Sequence, residues 1–347
     1  MNELIPAADS LGLPVPLWLL LALKVFGFFL HLIFMNLWLA GLPAALFLLR
    51  SSSAAAERLF HALPFFLAFG INAGIVPLLF LQTIYPQFFY PATILQAWFW
   101  FSVIPLLLIA YYAVYLASFG KYRVTTALTA TVLVYMIGVM FSSAMTLTAK
   151  PEAWPKIFMD SAQAGAVHGF YLHLNLEVLL RFLLVVGMAF GTLAAYFVIV
   201  AEWFATVETR AEQQKLVVCY FIGAGFYAVA GALYASMILA RLPQPWFTAA
   251  GASLVLGVFL AGIYWRKPSR PIGLALVVTQ VAVLLSNAIA RQSVQVSELM
   301  KWYDPSKAPV RSEWGSFALF FSMFLSAIVI ISWIGLIALR RTRSSTT

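Results

Sequence analysis

Apolar stretches of about 20 residues recur from one end of this 347-residue sequence to the other, and that is the length a helix needs to cross ~30 Å of hydrocarbon. They fall at 17–49, 60–84, 94–118, 124–148, 176–203, 216–240, 246–265, 271–290 and 315–339. None alternates with the period of two that a membrane β-barrel requires, so backbone groups in lipid must be satisfied within each helix. The expected fold is an all-α polytopic membrane protein with nine transmembrane helices. With 63% hydrophobic and only 10% charged residues, no soluble catalytic domain is left over. A single cysteine, Cys219, lies inside an apolar run, which excludes an intrachain disulfide, a thiolate-ligated iron–sulfur cluster and covalently attached c-type heme. No GxSxG, HExxH or phosphate-loop pattern occurs, so hydrolase and ATPase chemistry lack support.

Charge placement gives an orientation. Alternate connections carry Arg50, Arg58, Lys121, Arg123, Arg210, Lys215, Arg266, Lys267, Arg270, Arg340, Arg341 and Arg343 against Glu57, Glu202, Glu208 and Glu212. The opposite side is balanced between bases and acids, so the positive-inside rule puts the N-terminus outside and the C-terminus in the cytoplasm. The net charge of +9 is then mostly topology. It is spread over short loops with no basic helix or aromatic platform, which argues against a nucleic-acid partner. The N-terminal MNELIPAADS is acidic where a signal peptide would be basic, so the first helix is expected to stay in the protein. That first run is too long for one straight crossing. Pro14, Pro16 and Trp18 mark an interfacial start, with the crossing proper expected near Lys24. The two long polar connections, Thr148 to Asn175 and Gln292 to Glu313, both fall outside; Trp154, Trp302, Tyr303 and Trp314 suit either a docking surface for a partner or aromatics that touch lipid headgroups.

Few charges lie within the runs. Glu177 and Arg181 stand one helical turn apart and read as a self-contained ion pair; Lys24 reads as a snorkelling lysine. The alternative is that Lys24 and Arg181 meet an anionic cofactor group near the outer face. His31 is the most deeply placed histidine, seven residues from Lys24 and on nearly the same helical face. It is open to two readings, a hydrogen-bonded structural residue or a metal or heme ligand. His61 falls at a helix entry and reads as a cap. His168 and His173 flank the fifth run in AVHGFYLHLNLE, either as surface residues or as a second ligand or proton donor. Trp98, Trp100, Tyr111, Tyr112 and Tyr115 fit packing or an interfacial belt, or the lining of a quinone or heme cleft.

FFLHLIFMNLWLAG on the first helix and FGINAGIVPLLFLQTIYPQFFY on the second resemble subunit I of the cytochrome bd quinol oxidases and its wider superfamily. The similarity covers essentially the whole chain, strongest in 24–90 and 150–196, with a weaker match at ARQS in 290–293. It implies two four-helix bundles (1–148 and 149–290) followed by an outer loop and a peripheral last helix (291–347). It also implies a b-type heme whose ligand matches His31, a place in a bacterial inner-membrane respiratory chain, and extracytoplasmic redox partners of cytochrome c or iron–sulfur type, with quinone as a second cofactor. The departures are specific. The family's low-spin heme ligands would fall at Leu184 and at Ala249 or Ala250. The glutamate serving its second high-spin heme would fall near Ala288, beside Asn287, and its quinol loop is reduced to ARLPQPW. Alanine and leucine offer iron no lone pair, so the resemblance implies about one heme where the family has three. The competing expectation is a cofactor-poor scaffold that anchors redox partners.

Overall fold

The computed structural model describes residues 5–8, 10–50, 53–163 and 166–344. Of the charges counted above, Arg340, Arg341 and Arg343 have side chains outside the described residues. The chain is overwhelmingly helical: α1 (Leu17–Leu49), α2 (Ala54–Ile84), α3 (Pro86–Gln96), α4 (Trp98–Ser118), α5 (Arg123–Thr148), α6 (Trp154–Ser161), α7 (Leu176–Ile199), α8 (Val207–Lys215), α9 (Cys219–Met237), α10 (Gln244–Arg266), α11 (Arg270–Leu299) and α12 (Trp314–Ser344). A two-residue antiparallel ladder, Ala162–Gln163 with Ala166–Val167, follows α6. Among the described residues, eight helices are long and apolar enough to cross a membrane: α1, α2, α4, α5, α7, α9 with α8 leading into it, α10 and α11. The apolar part of α12 described in full, Trp314–Ala327, is shorter.

Capping sets several helix starts. Ser53 accepts the amides of Ala55 and Ala56 at the head of α2, and Asn175 accepts that of Val178 at 2.9 Å at the head of α7. The helices pack chiefly as sequential pairs, α1 on α2, α4 on α5, α7 on α9 and α10 on α11. The pairs meet through α1, which also packs on α5, α7 and α11. The main core runs through all four pairs, from Leu42 and Leu59 to Leu193, Phe197 and Tyr264.

Four connections rich in basic residues gather at one end. Arg123 pairs with Glu57, Ser53 donates to Glu212, and Glu202 accepts from Arg210, Gln214 (3.0 Å) and Tyr264 (2.7 Å). Glu202 lies in a single π-helical turn, Val200–Phe204, and is 2% exposed. At the other end the connections are longer and folded. Leu13 bridges Val310 in parallel, with Leu13 N donating to Pro309 O (2.8 Å) and Arg311 N to Leu13 O (2.9 Å). Gly12 has φ +74°, and a Cβ there would sit 2.1 Å from the Pro309 carbonyl, so only glycine lets the two segments meet. Tyr85, Phe88, Trp154 and Tyr303 pack beneath this clasp.

Helix α1 spans Leu17–Leu49, the bounds of the first apolar run, with Lys24 two turns inside it. Two other boundaries differ from the sequence expectation. The run at 94–118 is broken at Ala97, separating α3 from α4. The run at 271–290 continues as helix to Leu299, because hydropathy falls at Arg291 while helical propensity does not; residues 292–299, expected as outer loop, are the last turns of α11.

Candidate functional site

Where α1 crosses α2, three glycines allow close approach: a Cβ on Gly27 would lie 2.6 Å from Val76, on Gly70 2.6 Å from the Trp38 indole nitrogen, and on Gly74 2.7 Å from His31 Nδ1. His31 occupies this crossing, with Nδ1 2.8 Å from the Gly70 carbonyl oxygen and the Phe28 ring 6.4 Å away on its own helix. A carbonyl only accepts, so Nδ1 carries a proton. Among the described residues no group bonds Nε2, the nitrogen left for a ligand.

One to two turns toward the loop-rich end, the cations gather. Lys24 is 3% exposed and donates to Gln295 Oε1 at 2.6 Å, with its ammonium 5.6 Å from the Tyr85 ring. It does not snorkel as expected: Gln295, in the unexpected extension of α11, holds it inside. One turn before Gln295, Arg291 stacks its guanidinium 4.3 Å from the Phe28 ring, and its charge reaches both Lys24 and His31. Arg181 on α7 donates to Thr146 Oγ1 at 2.8 Å and bears electrostatically on Arg291. The expected Glu177–Arg181 pair does not form. Glu177 pairs instead with Lys150, and Glu298 pairs with Lys301 at 2.8 Å. Among the described residues no carboxylate pairs with Lys24, Arg181 or Arg291, so three basic side chains, Lys24 buried and the two arginines half-buried, lie near one another without a paired anion. Such an arrangement is costly unless an anion joins it.

The other histidines serve different ends. Both ring nitrogens of His173 are engaged, Nδ1 with the Tyr171 hydroxyl (3.1 Å) and Nε2 with the Asn175 amide (3.0 Å), while its backbone amide donates to Ser143 Oγ (2.8 Å). Burial, then the Lys150 charge, lower the His173 pKa, with Glu177 opposing. His168 is exposed, its backbone amide donating to the Ser161 carbonyl. His61 donates to the Glu57 carbonyl one turn back. His173 and His168 thus organise the segment leading into α7, and their contacts belong to α5, α6 and α7, whereas those of His31 belong to α2. Among the described residues no cluster of three His, Cys, Asp or Glu groups could hold a metal by protein ligands alone.

Leu184 packs against Tyr227, Val283, Leu284 and Ala288 between α1, α7, α9 and α11. Asn287 donates to the Tyr227 hydroxyl at 2.6 Å. Deeper still, Thr192 Oγ1 accepts from Asn36 and Gln280, each at 3.1 Å, tying α1, α7 and α11 together. Sequence reasoning missed two features. Arg291 falls just past the apolar run 271–290, where hydropathy drops, although Asn287, Arg291, Gln295 and Glu298 keep a helical spacing of three to four. The Gly70 and Gly74 pair was legible as small residues four apart in FGINAG, a spacing that permits close helix approach.

The fold and this site define a polytopic helical membrane protein with a histidine and three basic side chains gathered near one end. No family model matches the chain, and no curated protein matches it.

Proposed function

We propose that this chain is a heme-binding membrane subunit of a bacterial respiratory electron-transfer complex, built on the plan of cytochrome bd subunit I with fewer hemes. In this reading α12 is the ninth crossing, the N-terminus is outside, and α1, α2, α4 and α5 form one four-helix bundle and α7, α9, α10 and α11 the other. The packing of α1 on α2, α4 on α5, α7 on α9 and α10 on α11 supports that division. The convergence of the basic connections at one end supports the orientation.

The observation that carries the reading is the ring nitrogen of His31 that is unbonded among the described residues, beside buried Lys24 and half-buried Arg181 and Arg291, none of which has a carboxylate partner among those residues. These residues fit a b-type heme, whose iron would take a nitrogen ligand and whose two carboxylates would take cations; when bound it would supply one-electron chemistry. His31 Nε2 would hold the iron. Lys24, Arg181 and Arg291 would hold the carboxylates, and in doing so would offset the mutual repulsion of their charges. Phe28, Phe29 and Leu184 would exclude water from the site. Electrons would come from quinol or from an extracytoplasmic cytochrome c or iron–sulfur subunit docked on the loop-rich end, and the chain would act only within such a complex.

The second reading, a scaffold with few or no cofactors, draws on the apolar character of the remaining family ligand positions: Leu184, Ala249, Ala250 and Ala288 supply no iron ligand. Pyridine hemochrome quantitation with a reduced-minus-oxidised spectrum of the purified protein separates the two. About one heme per chain, lost in His31→Ala with the protein still inserted, is the expected result. An unchanged heme-to-protein ratio in His31→Ala sinks the ligand assignment, and a heme-free wild-type protein sinks the reading.

A further inference from the structure

We infer that Gly70 and Gly74 are positioning residues for His31, built to present it as a neutral imidazole whose Nε2 is the free nitrogen; the use of that nitrogen for iron rests on the function proposed above. Two independent distances lead here. The Gly70 carbonyl oxygen lies 2.8 Å from Nδ1 and fixes the proton on that atom. A Cβ on Gly74 would lie 2.7 Å from Nδ1 and 2.8 Å from Cε1 of the same ring. The imidazole therefore lies with its Nδ1–Cε1 edge flat against bare helix backbone. Any larger residue at 74 pushes the ring off, and with it the hydrogen bond to residue 70.

The two glycines are one turn apart on the same face of α2, so one provides the acceptor and the other the room. The Gly70 carbonyl has two lone pairs and accepts the ring N–H in addition to its own helical bond. Without this contact the ring is free to turn or to carry its proton on Nε2, and neither alternative offers a lone pair in a fixed direction. Outer-sphere partners that set the tautomer and orientation of a ligating histidine typically govern affinity by ~10- to 100-fold when removed.

Two measurements test this. In the first, heme-depleted wild-type protein, Gly74→Ala and Gly225→Ala are titrated with hemin. Residue 225 has open space where a Cβ would go, so its variant controls for helix substitution as such. Gly74→Ala is expected to bind hemin ~10- to 100-fold more weakly, with a shifted Soret band, while Gly225→Ala matches wild type. Wild-type affinity and spectrum in Gly74→Ala would overturn the assignment. The second measurement needs no heme and no glycine variant: nitrogen-15 NMR of histidine-labelled wild-type protein, with the His31 signal identified by its loss in His31→Asn. A neutral ring protonated on Nδ1 is expected; a proton on Nε2 would overturn the positioning role whatever hemin does. If wild-type protein takes up no hemin but His31 is protonated on Nδ1, the heme reading fails and the glycine assignment stands.

Discussion

At the residue scale, charges decide more than their number would imply. Arg291 and Lys24 sit in the interior with an aromatic face and an amide for company, and neither has a carboxylate among the described residues. Replacing Arg291 by Gln keeps hydrogen-bonding capacity while removing the charge. On the heme-binding function proposed above, heme retention through detergent washing is expected to fall severalfold in that variant, whereas equal retention would remove Arg291 from the site. Glu202 is the reverse case, a buried anion fully engaged by Arg210, Gln214 and Tyr264. Tyr264→Phe deletes one hydrogen bond to a charged acceptor and is expected to destabilise the protein by ~1.5–3 kcal/mol, read as a lower Tm in detergent. His173 brings a pH dependence. Its pKa is depressed in the folded protein, so the unfolded chain binds more protons in the window below ~6.5, and stability falls as the pH drops through it. Thermal melts of wild type and His173→Asn between pH 5 and 8 check this. The wild type is expected to lose more stability than the variant on the acid side.

Among elements, small residues set how closely helices approach. Gly187 on α7 and Gly223 on α9 bring backbone against backbone: a Cβ on Gly223 would lie 2.5 Å from the Gly187 carbonyl oxygen and 2.7 Å from the Gly191 amide. Such contact exists because lipid offers no hydrophobic drive between helices, leaving close packing and hydrogen bonds to do the joining. Gly223→Ala is therefore expected to cost ~1–3 kcal/mol by overpacking, with helix content unchanged by circular dichroism. Across the α1, α7 and α11 junction, Thr192 serves two donors at once. Its replacement by valine keeps the shape, strands the Asn36 amide and leaves Gln280 only the Met188 carbonyl, for an expected loss of ~1 kcal/mol, in keeping with the modest strength of hydrogen bonds inside membranes. The extension of α11 past residue 290 matters most to the site, since those added turns carry Arg291 and Gln295.

For the molecule as a whole, the two ends are built differently. Short basic connections are cross-tied at one end by Glu57, Glu202 and Glu212, while the other is closed by α3, α6 and the clasp between residues 12–14 and 309–313. Within 300–312, Pro305 is buried and Tyr303 packs on Tyr85 and Phe88, so shortening this segment disturbs the core of that end. A partner-docking test is better made by point changes at exposed Lys307 or Trp314. Orientation is tested by single-cysteine labelling with an impermeant reagent in intact cells. Positions 156 and 307 are expected to react and position 210 to stay protected; the opposite pattern would invert the molecule and put His31 near the inner face.

Lipid imposes one strong rule, that every backbone group be satisfied within its own segment, and this is why the helical fold and the approximate spans were readable from hydropathy alone. The candidacy of His31 and Lys24 was readable for a related reason, since polar side chains inside apolar runs are few. Hydropathy has no access to partners. Whether Glu177 would meet Arg181 or Lys150 depended on where the end of α5 falls, and whether Lys24 would reach the surface depended on Gln295 lying opposite it, 271 residues away. That His173 would spend both ring nitrogens on its neighbours, while His31 kept one unbonded among the described residues, followed from a loop fold in one case and a helix crossing in the other. Periodicity along the chain specifies which face a residue occupies; only the packing of one helix on another determines what that face meets.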